Sequence, residues 1–131
     1  MKQLSHILCI DDEEDILEIA QFALETVGGY RVSTCVGGQK ACAGLGERET
    51  PDLILLDVMM PGMNGPETLR KLQTSERFSD VPVVFMTAKV QPSEVAHLRE
   101  LGAASVIAKP FDPMTLPDQL EKIWSAYHGA G

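Results

Sequence analysis

The chain has 131 residues, enough for one domain with its own core, and 44% hydrophobic with 23% charged residues is the composition of an ordinary water-soluble globular protein. A formal net charge of −8 argues against a nucleic-acid partner, which needs a counter-charge to phosphate. No apolar run approaches the roughly 20 residues of a membrane span, and Met1-Lys2-Gln3-Leu4-Ser5 lacks the apolar core of a secretion signal.

Ile7-Leu8-Cys9-Ile10 is a short apolar run that ends at Asp11-Asp12, and reads as a buried strand. Helical sequence follows from Glu13 to Val27, with Asp12, Glu13, Glu14 and Asp15 crowding its first turn, where negative charge suits the helix dipole; Gly28-Gly29 stops it. The alternation from Tyr30 to Val36 predicts a second strand with one face more exposed, and Gly37-Gly38 leads into a short helix over Gln39–Leu45. Leu53-Ile54-Leu55-Leu56 runs straight into Asp57, predicting a strand buried on both faces with a carboxylate at its end. Pro66 to Thr74 is a helix with Pro in its first turn. Val81 to Met86 is the fourth strand, ending at Thr87, with Pro82 at its beginning. Pro92 to Leu101 is a helix closed by Gly102, Ala104 to Ala108 is the fifth strand ending at Lys109-Pro110, and a last helix starts near Pro113 or Pro117 and runs to Tyr127. Strict βα alternation with buried strands implies a parallel sheet covered by helices on both faces. In such sheets ligands bind outside the carboxyl ends of the strands.

Parallel strands share direction, so Asp11-Asp12, Asp57, Thr87 and Lys109 all fall on one edge of the sheet. Carboxylates gathered there repel one another, and after Lys109 is counted about two negative charges remain. A hard divalent cation with oxygen ligands relieves this, and Mg²⁺, with Mn²⁺ as an alternative, accepts one or two carboxylates, waters and a phosphoryl oxygen. A carboxylate beside such an ion can accept a phosphoryl group as an acyl phosphate. The roles follow: Asp57 attacks phosphorus; Asp12 and Asp11 hold the metal with Asp57; the backbone carbonyl of Met59 completes the shell; Lys109 and Thr87 engage the phosphoryl oxygens by charge and hydroxyl. Cys9, Cys35 and Cys42 show no metal or redox spacing and read as buried thiols in a reducing cytoplasm. His6, His97 and His128 have no partners at ligand or triad spacing and read as structural or solvated.

Asp11-Asp12, Asp57 within Leu-Leu-Asp-Val-Met-Met-Pro-Gly-Met-Asn-Gly, Thr87-Ala88 and Lys109-Pro110-Phe111 together resemble the receiver domains of two-component response regulators, over essentially the whole chain. The resemblance implies a flavodoxin-like (βα)5 fold of strand order 2-1-3-4-5. It also implies phosphotransfer to Asp57 from a histidine kinase or histidine phosphotransfer protein, Mg²⁺ dependence, and a cis Lys109–Pro110 bond. A signalling phosphoacceptor of this kind catalyses only its own phosphorylation and slow dephosphorylation. Receivers usually carry Tyr or Phe three residues before the Lys; here the position is Val106, so the expected switch is a movement of Thr87 and its loop without a rotating ring. Met59 and Lys89, two residues after Asp57 and Thr87, offer no good means of orienting or deprotonating an attacking water, which predicts slow loss of the phosphoryl group.

On the first helix, Leu17, Ala20, Leu24 and Val27 are expected to face the core, while Ile16, Ile19 and Phe22 form an apolar shoulder for a helical partner near the site. On the last helix, Leu116, Leu120, Ile123 and Tyr127 are expected to form the core stripe, with Trp124 at its boundary. The expected organisation is a single receiver domain over 1–131 without an output domain, acting on a downstream protein target by contact. The alternatives are a receiver excised from a longer regulator, an aspartyl-phosphate phosphatase, disfavoured because Met59 stands where such enzymes place a second Asp, and a non-phosphorylated scaffold.

Overall fold

The computed structural model describes residues 3–128, so Met1 and Lys2, which bear on the question of a secretion signal, lie outside the described residues. Strands β1 (His6–Asp11), β2 (Arg31–Val36), β3 (Leu53–Asp57), β4 (Val83–Thr87) and β5 (Ser105–Ala108) alternate with helices α1 (Glu14–Phe22), α2 (Gly38–Ala43), α3 (Gly65–Gln73), α4 (Pro92–Glu100) and α5 (Leu116–Tyr127). All strand pairs are parallel, in the order β2-β1-β3-β4-β5. This is the flavodoxin-like arrangement, with β1 and β3 side by side at its centre.

The continuous apolar runs of β1, β3 and β4 follow from this placement, because each is covered on both faces. Side chains alternate across the sheet. Ile7, Cys9, Leu53, Leu55, Val84 and Met86 pack with Leu17, Ala20 and Leu24 of the first helical segment and Leu116, Leu120 and Trp124 of α5. Leu8, Ile10, Ile54, Leu56 and Phe85 pack on the other side with Ala41, Leu69, Leu72 and Leu98 of α2, α3 and α4. The two cores hold the strands in register, so their carboxyl ends form one rigid rim.

The first helix departs from regular α-geometry. After Phe22 the chain continues as a π-turn over Ala23–Val27, and the Gly28 amide donates to the Ala23 carbonyl at 3.0 Å. A π-turn spends one more residue per turn than an α-helix. The apolar phase slips accordingly: Ala23 and Leu24 are buried, whereas Val27, expected in the core, is 41% exposed. A second correction falls on α5, where Trp124 is buried and belongs to the core, while Tyr127 is exposed and its hydroxyl donates to the Asp80 carbonyl at 3.3 Å. The stripe therefore runs Leu116, Leu120, Trp124 at i, i+4, i+8, with Ile123 half-buried beside it. Cys9 and Cys35 are buried free thiols, and burial pushes the Cys9 thiol up to about 12; Cys42 is only half-buried. His6 is buried with Nε2 at 2.8 Å from Ser33 Oγ, a structural histidine at the opposite end of the sheet from the rim, and His97 and His128 are exposed.

Candidate functional site

The rim at the carboxyl ends of the strands carries the site. Ile10 lies opposite Leu56 in the β1–β3 ladder, so the next residues, Asp11 and Asp57, emerge side by side. Asp57 lies opposite Met86, and Thr87 opposite Ala108, which delivers Thr87 and Lys109 to the same edge. The Lys109–Pro110 bond is cis, and the Lys109 amide donates to the Thr87 carbonyl at 2.9 Å, tying the two strand ends together.

Asp11 is wholly buried. Its Oδ1 accepts from the Glu13 amide at 2.9 Å, and its Oδ2 accepts from Lys109 Nζ at 3.0 Å. The same Nζ lies 3.1 Å from Asp57 Oδ1, so one ammonium spans two carboxylates. Burial first, then the Asp11 charge, push the Asp57 pKa from the ordinary 3.8 up to about 6, against the pull of Lys109 and of a hydrogen bond from the Met59 backbone. Burial works against the Lys109 charge, but its bonds and attraction to Asp11 and Asp57 hold its pKa above that of an ordinary lysine. The cluster is thus short of positive charge with Lys109 already in place.

Three observations fit this cluster to a hard divalent cation. One carboxylate oxygen from each of Asp11, Asp12 and Asp57 lies within 4.8 Å of the others. Asp12 Oδ1 is buried and has no hydrogen-bond partner. The donors are all oxygen, the set that Mg²⁺ or Mn²⁺ takes. An unpartnered buried carboxylate oxygen is costly unless something positive meets it.

Around the cluster, Thr87 is buried and its Oγ1 accepts the Lys89 amide at 3.1 Å, a bond that uses a lone pair and leaves the hydroxyl proton to be donated. The Met59 side chain is 69% exposed on the rim, and Lys89 is exposed on the loop after β4. Val106 lies within β5, half-buried against the Leu98 side of the core and opposite Phe85 in the ladder, so no aromatic ring occupies this position. Of the α1 shoulder, Ile16 is half-buried against the core, whereas Ile19 and Phe22 are 44% and 57% exposed. Ile16 therefore contributes to packing as well as to the surface.

Gly65, the last residue of the Leu-Leu-Asp-Val-Met-Met-Pro-Gly-Met-Asn-Gly stretch, carries no role in the sequence reading but is a positioning residue. A Cβ there would lie 2.5 Å from the Asp57 carbonyl oxygen, 2.8 Å from Val58 Cα and 2.9 Å from the Phe85 ring. Only glycine lets the start of α3 sit directly behind the phosphoacceptor candidate. The Gly65 amide donates to the Val58 carbonyl at 2.9 Å, closing the loop that contains Met59, and Asn64 and Glu67 form a capping box at 2.9 and 3.0 Å that fixes where α3 begins. The sequence signal is a glycine at a helix start, next to a strong N-cap.

Residues 7–121 match the family model of the response regulator receiver domain, and the chain belongs to that family. The response regulator SaeR of Staphylococcus aureus is 34% identical over 113 residues, covering 86% of this chain and 47% of that protein. The chain thus spans about half the length of the curated relatives it matches. Among solved structures, the chemotaxis response regulator CheY4 of Vibrio cholerae superimposes with a TM-score of 0.84 at 27% identity, over 92% of this chain and 99% of that one. The N-terminal domain of a response regulator receiver protein from Methanoculleus marisnigri gives 0.72 at 35% identity, over 92% and 96%. Among the described residues no helix is long and apolar enough to cross a membrane.

Proposed function

We propose that Asp57 is the phosphoacceptor of this receiver and takes its phosphoryl group from a phosphohistidine of a histidine kinase or histidine phosphotransfer protein. The observation that carries the reading is Lys109 Nζ held between Asp11 and Asp57 at 3.0 and 3.1 Å, beside an unpartnered Asp12 oxygen. An oxygen of Asp57 forms the O–P bond as the P–N bond breaks, and the electron pair leaves with the imidazole. Lys109, already placed on Asp57 Oδ1, meets the negative charge on the incoming group, and the Thr87 hydroxyl donates to a phosphoryl oxygen. Asp11, Asp12, Asp57 and the Met59 carbonyl would hold Mg²⁺ or Mn²⁺, which supplies the remaining positive charge for the phosphoryl oxygens.

Ile19 and Phe22, with the outer part of Ile16, form the surface offered to the phosphodonor. With Val106 in place of an aromatic residue, the signal to a downstream protein is carried by the Thr87 loop. The unit is a receiver that acts by protein contact and belongs to the reducing interior suggested by its free thiols. Met59 and Lys89 leave the acyl phosphate long-lived, because neither prepares a water for attack.

The test is labelling with acetyl phosphate and Mg²⁺. A hydroxylamine-sensitive phosphoryl label on Asp57, absent from Asp57→Asn, supports the reading; turnover without label would point to a phosphatase, and absence of both to a scaffold. A panel of histidine kinases and phosphotransfer proteins, screened for fast transfer to Asp57, then identifies the donor.

A further inference from the structure

The segment from Val58 to Gly65 holds the Met59 carbonyl, and α2 lies against its far side. Gly37, at φ +94°, donates its amide to the Asp11 carbonyl at 3.0 Å, which ties the residue before α2 to the end of β1. The next residue, Gly38, is buried against α3: a Cβ there would lie 2.1 Å from Thr68 Oγ1 and 3.0 Å from the Met63 carbonyl oxygen. Thr68 cannot swing aside freely, because it is fully buried and its Oγ1 donates to the Asn64 carbonyl at 2.8 Å. One turn along α2, Cys42 Sγ lies 3.7 Å from Met63 Sδ. Between them, the Gln39 side chain lies beside Gly62.

We infer that α2 is a brace for the phosphoacceptor loop, with Gly38 as the positioning residue that lets it seat against Met63 and Thr68. The inference rests on the metal-binding, phosphoacceptor reading of Asp57. Its physical content is a linkage of four pieces. Asp11 anchors the start of α2, α2 presses on Met63 and Thr68, these bracket the Asn64 cap, and the cap sets the Gly65–Val58 closure of the loop that carries Met59. A methyl group at position 38 meets a buried hydroxyl held by its bond to the Asn64 carbonyl, so the start of α3 or the whole of α2 must shift. Either shift moves the Met59 carbonyl relative to Asp11 and Asp57 with no change in any metal-binding side chain.

The experiment compares wild type, Gly38→Ala, Thr68→Ala and Gly38→Ala/Thr68→Ala by three measurements: thermal midpoint, Mg²⁺ affinity by calorimetry well below that midpoint, and the rate of labelling by acetyl phosphate. Gly38→Ala is expected to weaken Mg²⁺ binding about tenfold, in the range seen for groups that orient metal ligands from behind. The double variant, freed of the 2.1 Å clash, is expected to recover most of that affinity. A Gly38→Ala protein that is less stable but binds Mg²⁺ within about twofold of wild type would overturn the brace, since mere destabilisation does not alter affinity in the folded molecules. If Gly38→Ala does not fold, Thr68→Ala alone carries the test: losing the 2.8 Å bond from Thr68 Oγ1 to the Asn64 carbonyl breaks the same linkage and is expected to weaken Mg²⁺ binding by more than about twofold, and an affinity equal to wild type overturns the inference too. Failure of wild type to take label at all would count against the phosphoacceptor reading, while the Mg²⁺ affinities would still decide the brace.

Discussion

Replacing Asp57 by Asn is expected to stabilise the metal-free protein at neutral pH. In the folded chain the Asp57 pKa stands at about 6 against an ordinary 3.8. Between those values the native state holds more protons than the unfolded state, so stability falls as pH rises through the window and the full penalty is present above about pH 6. A rise of about two units at about 1.4 kcal/mol each is about 3 kcal/mol. The neutral amide of the Asp57→Asn variant would escape that penalty but would accept more weakly from Lys109 Nζ, now 3.1 Å from Asp57 Oδ1, an offset of about 1 kcal/mol. The net gain is about 2 kcal/mol, or about 6 °C in thermal midpoint for a domain of this size. Calorimetry at pH 7.5 and pH 4 in a chelating buffer reads it. At pH 4 the wild-type carboxyl is largely protonated in the folded state, so most of the advantage disappears; Mg²⁺ at pH 7.5 raises the wild type more than the variant, which lacks one ligand charge. An Asp57→Asn protein no more stable than wild type at pH 7.5, or equally favoured at both pH values, would refute the charge-crowding account.

Phe22→Glu places a charge on the exposed α1 shoulder and is expected to slow transfer from the cognate kinase at least fivefold, a cost of about 1 kcal/mol, while labelling by acetyl phosphate stays unchanged. Equal slowing of both would indicate a folding defect instead. Met59→Asn supplies a side chain able to orient water at the rim and is expected to hasten loss of the label, followed by phosphate release; an unchanged rate removes Met59 from the account. Asn64→Ala breaks the capping box and is expected to cost about 1 kcal/mol in urea unfolding. A change within a few tenths would mean that the start of α3 is held by Gly65 packing alone.

The alternation of elements and the convergence of Asp11, Asp12, Asp57, Thr87 and Lys109 were legible because both rest on strand period and direction, which local sequence encodes strongly. Leu53 to Asp57 could be bounded to the residue, since an apolar run between Pro51 and a carboxylate leaves little freedom. Helical phase was less legible. A uniform 100° per residue puts Val27 in the core, a rule that a π-turn breaks, and no residue in Ala23–Val27 announces the change. Tyr127 and Trp124 exchanged places in α5, where a uniform 100° per residue puts Tyr127 inside the stripe and Trp124 at its edge: the Trp124 ring joins the core, while Tyr127 reaches the Asp80 carbonyl at the surface. Gly38 and Gly65 were visible as letters, but their meaning lies in what stands behind them, Thr68 in one case and the Asp57 carbonyl in the other. Such tertiary approaches have no local signature.

The π-turn also means that the chain carries slack. Its i→i+5 bonding accommodates one residue more than a regular helix needs, while Gly28 still packs under 3 Å, measured from a would-be Cβ, against Pro117 and Tyr30. Length at this point is therefore negotiable in a way that length in β1 or β3 is not. Deleting Glu25 is expected to convert the turn to regular α-helix and leave a folded protein, with circular dichroism and the thermal midpoint as the check; a single-residue deletion in β3 would turn every strand residue beyond it to the wrong face. Loss of folding on deletion of Glu25 would show that the turn is held by its neighbours for its own sake.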